Sequence, residues 1–145
     1  MPLGDANRRA ADDCERQVRA IIEEGKRSFA IETVLSTDKY REIVLRARER
    51  GFQFLFVYVL LGSVGEAIER VKIRVSRGGH DVPIDKIRAR WPRSLANLKW
   101  FWSEATQAYI FFNGDRVEEP LLVAARSEES FTFDPDALAC LLPIS

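Results

Sequence analysis

The chain has no apolar run long enough to cross a bilayer. Its longest, Phe54 to Leu61, is far short of the roughly 20 residues that a spanning helix needs. It also has no excess of charge: 22 basic and 22 acidic residues give a formal net charge of zero. That balance argues against a surface built throughout to hold nucleic acid. Cysteine is scarce, and Cys14 and Cys140 stand near opposite ends in no metal-ligand spacing. They read as buried or idle thiols of a reducing compartment. His80 is the single histidine, and no ligand cluster suggests a metal site. No charged-then-apolar leader opens the chain, so no secretory signal is expected and a cytoplasmic location is the default. Repeats, low-complexity tracts and linkers are missing too, so one domain over residues 1–145 is expected.

What is present is enough for one core: 145 residues, 46% of them hydrophobic. Ala11, Cys14, Val18, Ile21 and Ile22 recur at helical spacing, with Gly25 as the stop. Ser28 to Thr33 reads as a short strand. A second helix is expected from about Thr37, with Tyr40, Ile43, Val44 and Ala47 on one face and Gly51 at its end. Phe52 to Leu61 is almost continuous in aromatic and β-branched residues, the pattern of a strand covered on both faces in a parallel sheet. Ser63 and Glu66 form a capping box for a helix that runs to about Arg77 and halts at Gly78-Gly79. Pro83 opens a further helical stretch, which Pro92 is expected to interrupt before Leu95, Leu98, Phe101 and Trp102 resume the pattern. Ala108 to Phe112 and Leu121 to Ala125 read as strands, separated by a turn at Asn113-Gly114-Asp115. Phe131 to Phe133 is an edge-strand candidate, and Pro135 to Leu142 a short final helix. Strands alternating with helices imply crossover units and an α/β layered fold.

The neutral total hides a basic segment. Arg70, Lys72, Arg74, Arg77, Lys86, Arg88, Arg90 and Arg93 face only Asp81 and Asp85 between residues 70 and 93. Eight positive charges against two negative leave this window at +6. Most such runs are solvated helix faces. Six of these eight are arginine, the residue suited to bidentate phosphate recognition. Arg70, Arg74 and Arg77 also share one helix face by their four- and three-residue spacing. That face ends at Gly78-Gly79-His80, where backbone can close over an anion. The cluster suits a polyphosphate better than nucleic acid.

Four segments resemble the zeta-toxin family of P-loop kinases. Phe29-Ala-Ile-Glu-Thr-Val-Leu-Ser36 is similar to the family's phenylalanine followed by Glu-Thr-Thr-Leu-Ser. The stretch from Arg70 to Pro83, with its Gly-Gly-His-Asp-Val-Pro, resembles the lid of its UDP-N-acetylglucosamine kinase-like members. Arg90-Trp-Pro-Arg-Ser-Leu is similar to the family's arginine, aromatic, proline, arginine, serine, leucine stretch, and Phe111-Phe-Asn113 stands where members often carry Asp-Asn after a strand. The likeness covers about residues 6–126. It implies a P-loop-kinase-like three-layer fold with a mostly parallel sheet. It also implies ATP- and magnesium-dependent phosphoryl transfer to a UDP-amino sugar. On that resemblance Glu32 and Thr33, at a strand end, contact the acceptor, while Arg70, Arg74, Arg77 and His80 form a lid over the transferred phosphate, with Arg90 and Arg93 as further substrate contacts.

The phosphate loop such chemistry needs does not occur. No Gly-x-x-x-x-Gly-Lys-Ser/Thr is found, and none of Lys26, Lys39, Lys72, Lys86 or Lys99 follows a glycine loop. Asp5, Asp12 and Asp13 have nothing to anchor them as a catalytic base. The family's first strand and loop are therefore expected to be missing, which would expose neighbouring strand edges. The chain alone is expected to lack ATP-dependent kinase activity. A truncated active kinase, a binding remnant that holds a nucleotide sugar or phosphate without turnover, and a strand supplied by another polypeptide all remain open. So does a toxin-like protein held by an antitoxin through its tryptophan-rich helix. Bland readings stand beside these. His80 can be an ordinary loop residue, and Glu32 a structural carboxylate paired with an arginine. Trp91, Trp100 and Trp102 suit packing better than base stacking.

Overall fold

The computed structural model describes residues 3–115, 117–127 and 131–133. Along the chain these form α1 (Leu3–Glu24), α2 (Lys39–Glu49), β1 (Leu55–Leu60), α3 (Val64–Ser76), α4 (Ile84–Glu104), β2 (Gln107–Phe112), β3 (Leu121–Ser127) and β4 (Phe131–Phe133). They fall into two compact units. One comprises Met1–Thr33 with Lys39–Gln53, the other Val34–Asp38 with Phe54–Ser145. The expected final helix at Pro135 to Leu142 lies outside the described residues.

The first unit is a helix pair. Val18 and Ile22 of α1 pack on Ile43 and Ala47 of α2, and Phe29, Ile31, Tyr40 and Phe52 close around them. Burying side chains of this size contributes about 1.5–3 kcal/mol each. The glycine stops act as expected. Gly51 takes φ 83°, its N–H bonds Arg48 O at 2.9 Å, and Phe52 N bonds Ala47 O at 3.0 Å, the pair of bonds that closes a helix end. Cys14 is exposed rather than buried. The cause is length: α2 has 11 residues and α1 has 22, so α2 covers about half of its partner.

Ser28 to Thr33 forms no strand. Phe29 and Ile31 do turn inward onto the unit's core, and Phe29 meets the Phe52 ring at 5.9 Å. Ser28, Ala30, Glu32 and Thr33 are exposed. Alternation records one-sided burial, and here it is met by helices without a hydrogen-bonded neighbour.

The second unit holds a four-stranded sheet in the order β1-β2-β3-β4. β1 and β2 are parallel, with Leu60 opposite Phe112; β2–β3 and β3–β4 are antiparallel. The sheet is thus mixed, not mostly parallel. β1 reaches β2 through two helices, a connection long enough for a parallel crossover, whereas the short links after β2 and β3 admit only antiparallel neighbours. Leu60, Phe112 and Val123 form the core, with Tyr58, Leu95, Ile110 and Val117 against it. α4 covers the β1 face that carries Phe56, Tyr58 and Leu60. Phe56 stacks on Phe101 at 5.9 Å, and Tyr58 Oη shares a 2.9 Å hydrogen bond with Ser94 Oγ. On the opposite face Leu55, Val57 and Val59 are 58%, 53% and 55% exposed, so β1 is covered on one face and not on both. A continuous apolar run does not by itself say how many faces are buried.

α4 runs through Pro92 without interruption. Proline removes one N–H and crowds the carbonyl four residues back, yet this helix is held by packing beyond it, where its buried residues lie. Phe101 is buried, and Arg93 Nε donates to the Ala89 carbonyl at 3.0 Å beside the defect. At the far end Arg126 Nη1 donates to the carbonyls of Trp102, Ser103 and Ala105 at 2.7–3.0 Å, satisfying acceptors that a helix C-terminus leaves open.

Candidate anion-binding hairpin

The predicted capping box is present. Ser63 is extended at the N-cap and its Oγ accepts from Glu66 N at 3.2 Å. The Glu66 carboxylate reaches back to Gly62 N at 2.9 Å. This junction follows a strand of the parallel pair, where α/β proteins commonly bind phosphate. Here the Gly62 and Glu66 amides are already bonded and a carboxylate fills the space: a Cβ on Gly62 would stand 2.7 Å from Glu66 Oε1, and one on Gly114 would stand 2.9 Å from Glu66 Oε2. Asn113 N bonds Leu60 O at 2.8 Å across the strand ends, and Arg70 Nη2 donates to Asn113 O at 2.5 Å. Such a junction does not fit a magnesium–ATP cradle, because its own side chain occupies the anion position.

The basic residues sit on α3, α4 and the link between them. α3 ends in a closed turn. Gly78 takes φ 84°, which a side chain would strain. Gly78 N bonds Val75 O and Gly79 N bonds Arg74 O, both at 2.9 Å, so the Gly-Gly step is a helix terminator. Arg74 Nη2 then donates to His80 O at 2.9 Å. His80 is exposed, and its contact with Arg74 is through its backbone.

Pairing separates this segment from several arginines of the first unit. In the first unit Arg16 pairs with Asp13, Arg19 with Glu15 and Glu42, Arg27 with Glu24, and Arg46 with Glu23 and Glu49. The Arg46 hydrogen bond draws the Glu23 carboxyl below its ordinary range. Between residues 70 and 93, among the described residues, Lys72 with Glu69 at 2.6 Å is the one ion pair. Arg70, Arg74 and Arg93 spend donors on backbone carbonyls. Arg77 and Arg88 are exposed and Arg90 half-buried, and these three carry no carboxylate partner there. A guanidinium left without one is a ready phosphate donor.

The predicted site residues are thus distributed unevenly. Arg70, Arg74, Arg77, His80, Arg90 and Arg93 all belong to the second unit, whereas Glu32 and Thr33 belong to the first. Both of the latter are exposed, so Glu32 is not a buried structural carboxylate. Trp91, Trp100 and Trp102 are half-buried, and Trp100 meets Phe101 edge-on at 4.8 Å, a packing arrangement. No group of three or more His, Cys, Asp or Glu able to hold a metal occurs among the described residues, and no described helix is long and apolar enough to cross a membrane. A groove of about 490 Å³ between α1 and α2 is lined by Arg19, Ile22, Glu23, Ile43 and Arg46; none of the predicted site residues lies on it.

Sequence reasoning missed Asn97. It is 5% exposed and donates through Nδ2 to Leu35 O at 2.9 Å and to Thr37 O at 3.4 Å. Leu35, itself 5% exposed, has φ 55°. The available signal was an amide in the otherwise apolar Leu95 to Leu98 register.

No family model, curated protein or solved structure matches this chain.

Proposed function

We propose that this chain binds a phosphorylated small molecule, of the UDP-amino-sugar class, through the arginines of α3 and α4. On this reading it is the substrate-closing part of a zeta-toxin-type kinase domain of the P-loop class. One observation carries it: the +6 segment holds Arg77, Arg88 and Arg90 without carboxylate partners among the described residues, while Arg16 and Arg19 of α1 and Arg46 of α2 are ion-paired. Charge of one sign left uncompensated on a helix hairpin attracts a polyanion, and arginine adds bidentate geometry. The acceptor roles of Glu32 and Thr33 rest on resemblance alone.

ATP and magnesium belong to this reading only through the family. The chain contains no Walker-type loop, and the β1–α3 junction is closed by Ser63 and Glu66, so no step is routed through them. The reading therefore separates binding from turnover: nucleotide-sugar affinity is expected, ATP-dependent transfer by this chain is not.

Calorimetric titration with UDP-N-acetylglucosamine tests it. Binding is expected to weaken about tenfold or more in the Arg77→Ala, Arg88→Ala, Arg90→Ala triple variant, with steep salt dependence. These three side chains make no bond the fold depends on, so melting should change little. Absence of binding at about 1 mM ligand, or binding indifferent to the triple variant, would refute the proposal.

A further inference from the structure

β1 stands at the end of the strand order, and among the described strands only β2 lies beside it. Phe54 O accepts from Gln107 N at 3.2 Å at the start of that pair, and Leu60 O accepts from Asn113 N at 2.8 Å at its close. The main-chain groups of successive strand residues point to opposite sides, so Phe54, Phe56, Tyr58 and Leu60 direct theirs to β2. Leu55, Val57 and Val59 therefore aim N–H and C=O outward, to the open edge. The same three residues carry exposed apolar side chains on the uncovered face.

An edge of this kind is a template for another strand, and edges that stay single are usually interrupted by a charge, a proline or a bulge. None of these occurs here. Residues 51–65 contain neither a charged residue nor a proline, and the register with β2 runs unbroken from Leu55–Gln107 to Leu60–Phe112. The strand also matches itself. Laid antiparallel with Val57 opposite Val57 of a second copy, Leu55 meets Val59 and Val59 meets Leu55, and every outward N–H and C=O faces its complement. Sliding by one residue would set outward groups against inward ones, and sliding further would shorten the ladder. A two-fold axis normal to the sheet keeps the three side chains of both copies on one face, as aliphatic cross-strand pairs. No like charges meet across that axis. An oppositely charged partner finds nothing on β1 to recognise, whereas the strand's own copy fits it in register and in face.

We propose that β1 pairs antiparallel with β1 of a second copy about a two-fold axis at Val57, joining two four-stranded sheets into one. The contact is isologous and closed, so association stops at the dimer. One strand a side is small beside the roughly 800 Å² per partner of standard complexes, so the dissociation constant is expected at about 10–100 µM. The proposal is independent of the phosphate-binding reading, which other residues carry.

Sedimentation equilibrium of the full chain over a concentration series tests it. Wild type is expected to pass from monomer to dimer and no further. The dissociation constant should change less than about twofold between low and high salt, because no charge lies in the contact; association through the basic hairpin would instead be steeply salt-dependent. Val57→Pro removes an N–H that β2 does not use, a substitution edge strands tolerate, and should weaken dimerisation about tenfold or more. Register is read separately by oxidation in a Cys14→Ser, Cys140→Ser background. Val57→Cys brings two thiols together on Cα atoms about 5.5 Å apart, within disulfide range, and should cross-link. Leu55→Cys leaves its own copy about 14 Å away and should not. A wild-type chain that stays monomeric to about 1 mM or assembles beyond the dimer overturns the proposal. So does a folded Val57→Pro chain that dimerises as wild type does, or cross-linking as efficient through residue 55 as through residue 57.

Discussion

Arg74 and His80 meet through the backbone: Arg74 Nη2 donates to the His80 carbonyl at 2.9 Å. The five residues between them are folded back by the terminator at Gly78 and Gly79. The Gly-Gly-His element therefore has a structural explanation that does not use the imidazole. His80→Ala keeps the carbonyl, and it should hold nucleotide-sugar affinity within about twofold of wild type. Arg74→Ala removes a charge and the tie, and should weaken binding about fivefold to tenfold. Titration of both variants decides the matter, and a His80→Ala loss as large as that of Arg74→Ala would give the ring a direct role.

Gly114 is required for space. It lies two residues past the end of β2, and a Cβ there would stand 2.4 Å from Phe112 Cζ and 2.9 Å from Glu66 Oε2. Phe112 is 1% exposed, so the ring has nowhere to go, and the carboxylate is committed to Gly62 N. Gly114→Ala should destabilise the chain by about 1–3 kcal/mol, the usual cost of overpacking. Gly65→Ala is the control, since its nearest neighbour, Ser63 Oγ, lies at an ordinary 3.5 Å. Urea denaturation of the two variants should separate them clearly.

Much of this arrangement was legible in the sequence, because local chemistry dictates it. Ser63 and Glu66 announce the start of α3, and Gly25, Gly51 and Gly78 mark helix ends through the left-handed conformation they permit. The α/β character follows from the alternation of apolar runs and helical patterns. What failed depends on distant partners. Ser28 to Thr33 has the alternation of a strand, but its inward residues met helices. Pro92 should have broken α4, and packing around Phe101 carried the helix through. Leu35 gives no sign of its left-handed turn, because the residue that holds it lies 62 positions away. The arginines could be counted in advance, but which of them have carboxylate neighbours is a property of the folded chain.

The exposed face of β1 makes a separate claim. β1 ends the strand order, and Leu55, Val57 and Val59 are each more than half exposed. No charged residue occurs between Arg50 and Glu66 to discourage edge pairing. A Val57→Lys, Val59→Lys variant places two charges on that exposed face and should reduce self-association at high protein concentration. The change is expected to cost little stability, because neither side chain contributes to the buried core. Light scattering across a concentration series reads the effect. If the double variant associates as strongly as wild type, β1 is not the adhesive surface.

Tyr58 couples the core of the second unit to alkaline pH. Its hydroxyl shares a 2.9 Å hydrogen bond with Ser94 Oγ, which joins β1 to α4. Burial pushes its ionisation above the ordinary value near 10, and the Ser94 bond offsets this only in part. The neutral phenol is thus favoured in the folded chain. With the folded pKa above the unfolded one, the folded state holds its proton where the unfolded state has released it. The contribution to stability is fully present below about pH 10 and is lost as pH rises through the folded value. Tyr58→Phe removes this linkage along with the hydrogen bond, so the variant should be less stable than wild type near neutrality, by about 0.5–1.5 kcal/mol. It should then lose less stability than wild type between pH 9.5 and 11.5, a window from about half a unit below to about one and a half units above an ordinary tyrosine. Denaturation midpoints measured across that range test the sign directly: curves that stay parallel for the two proteins would show that Tyr58 titrates as it does in the unfolded chain.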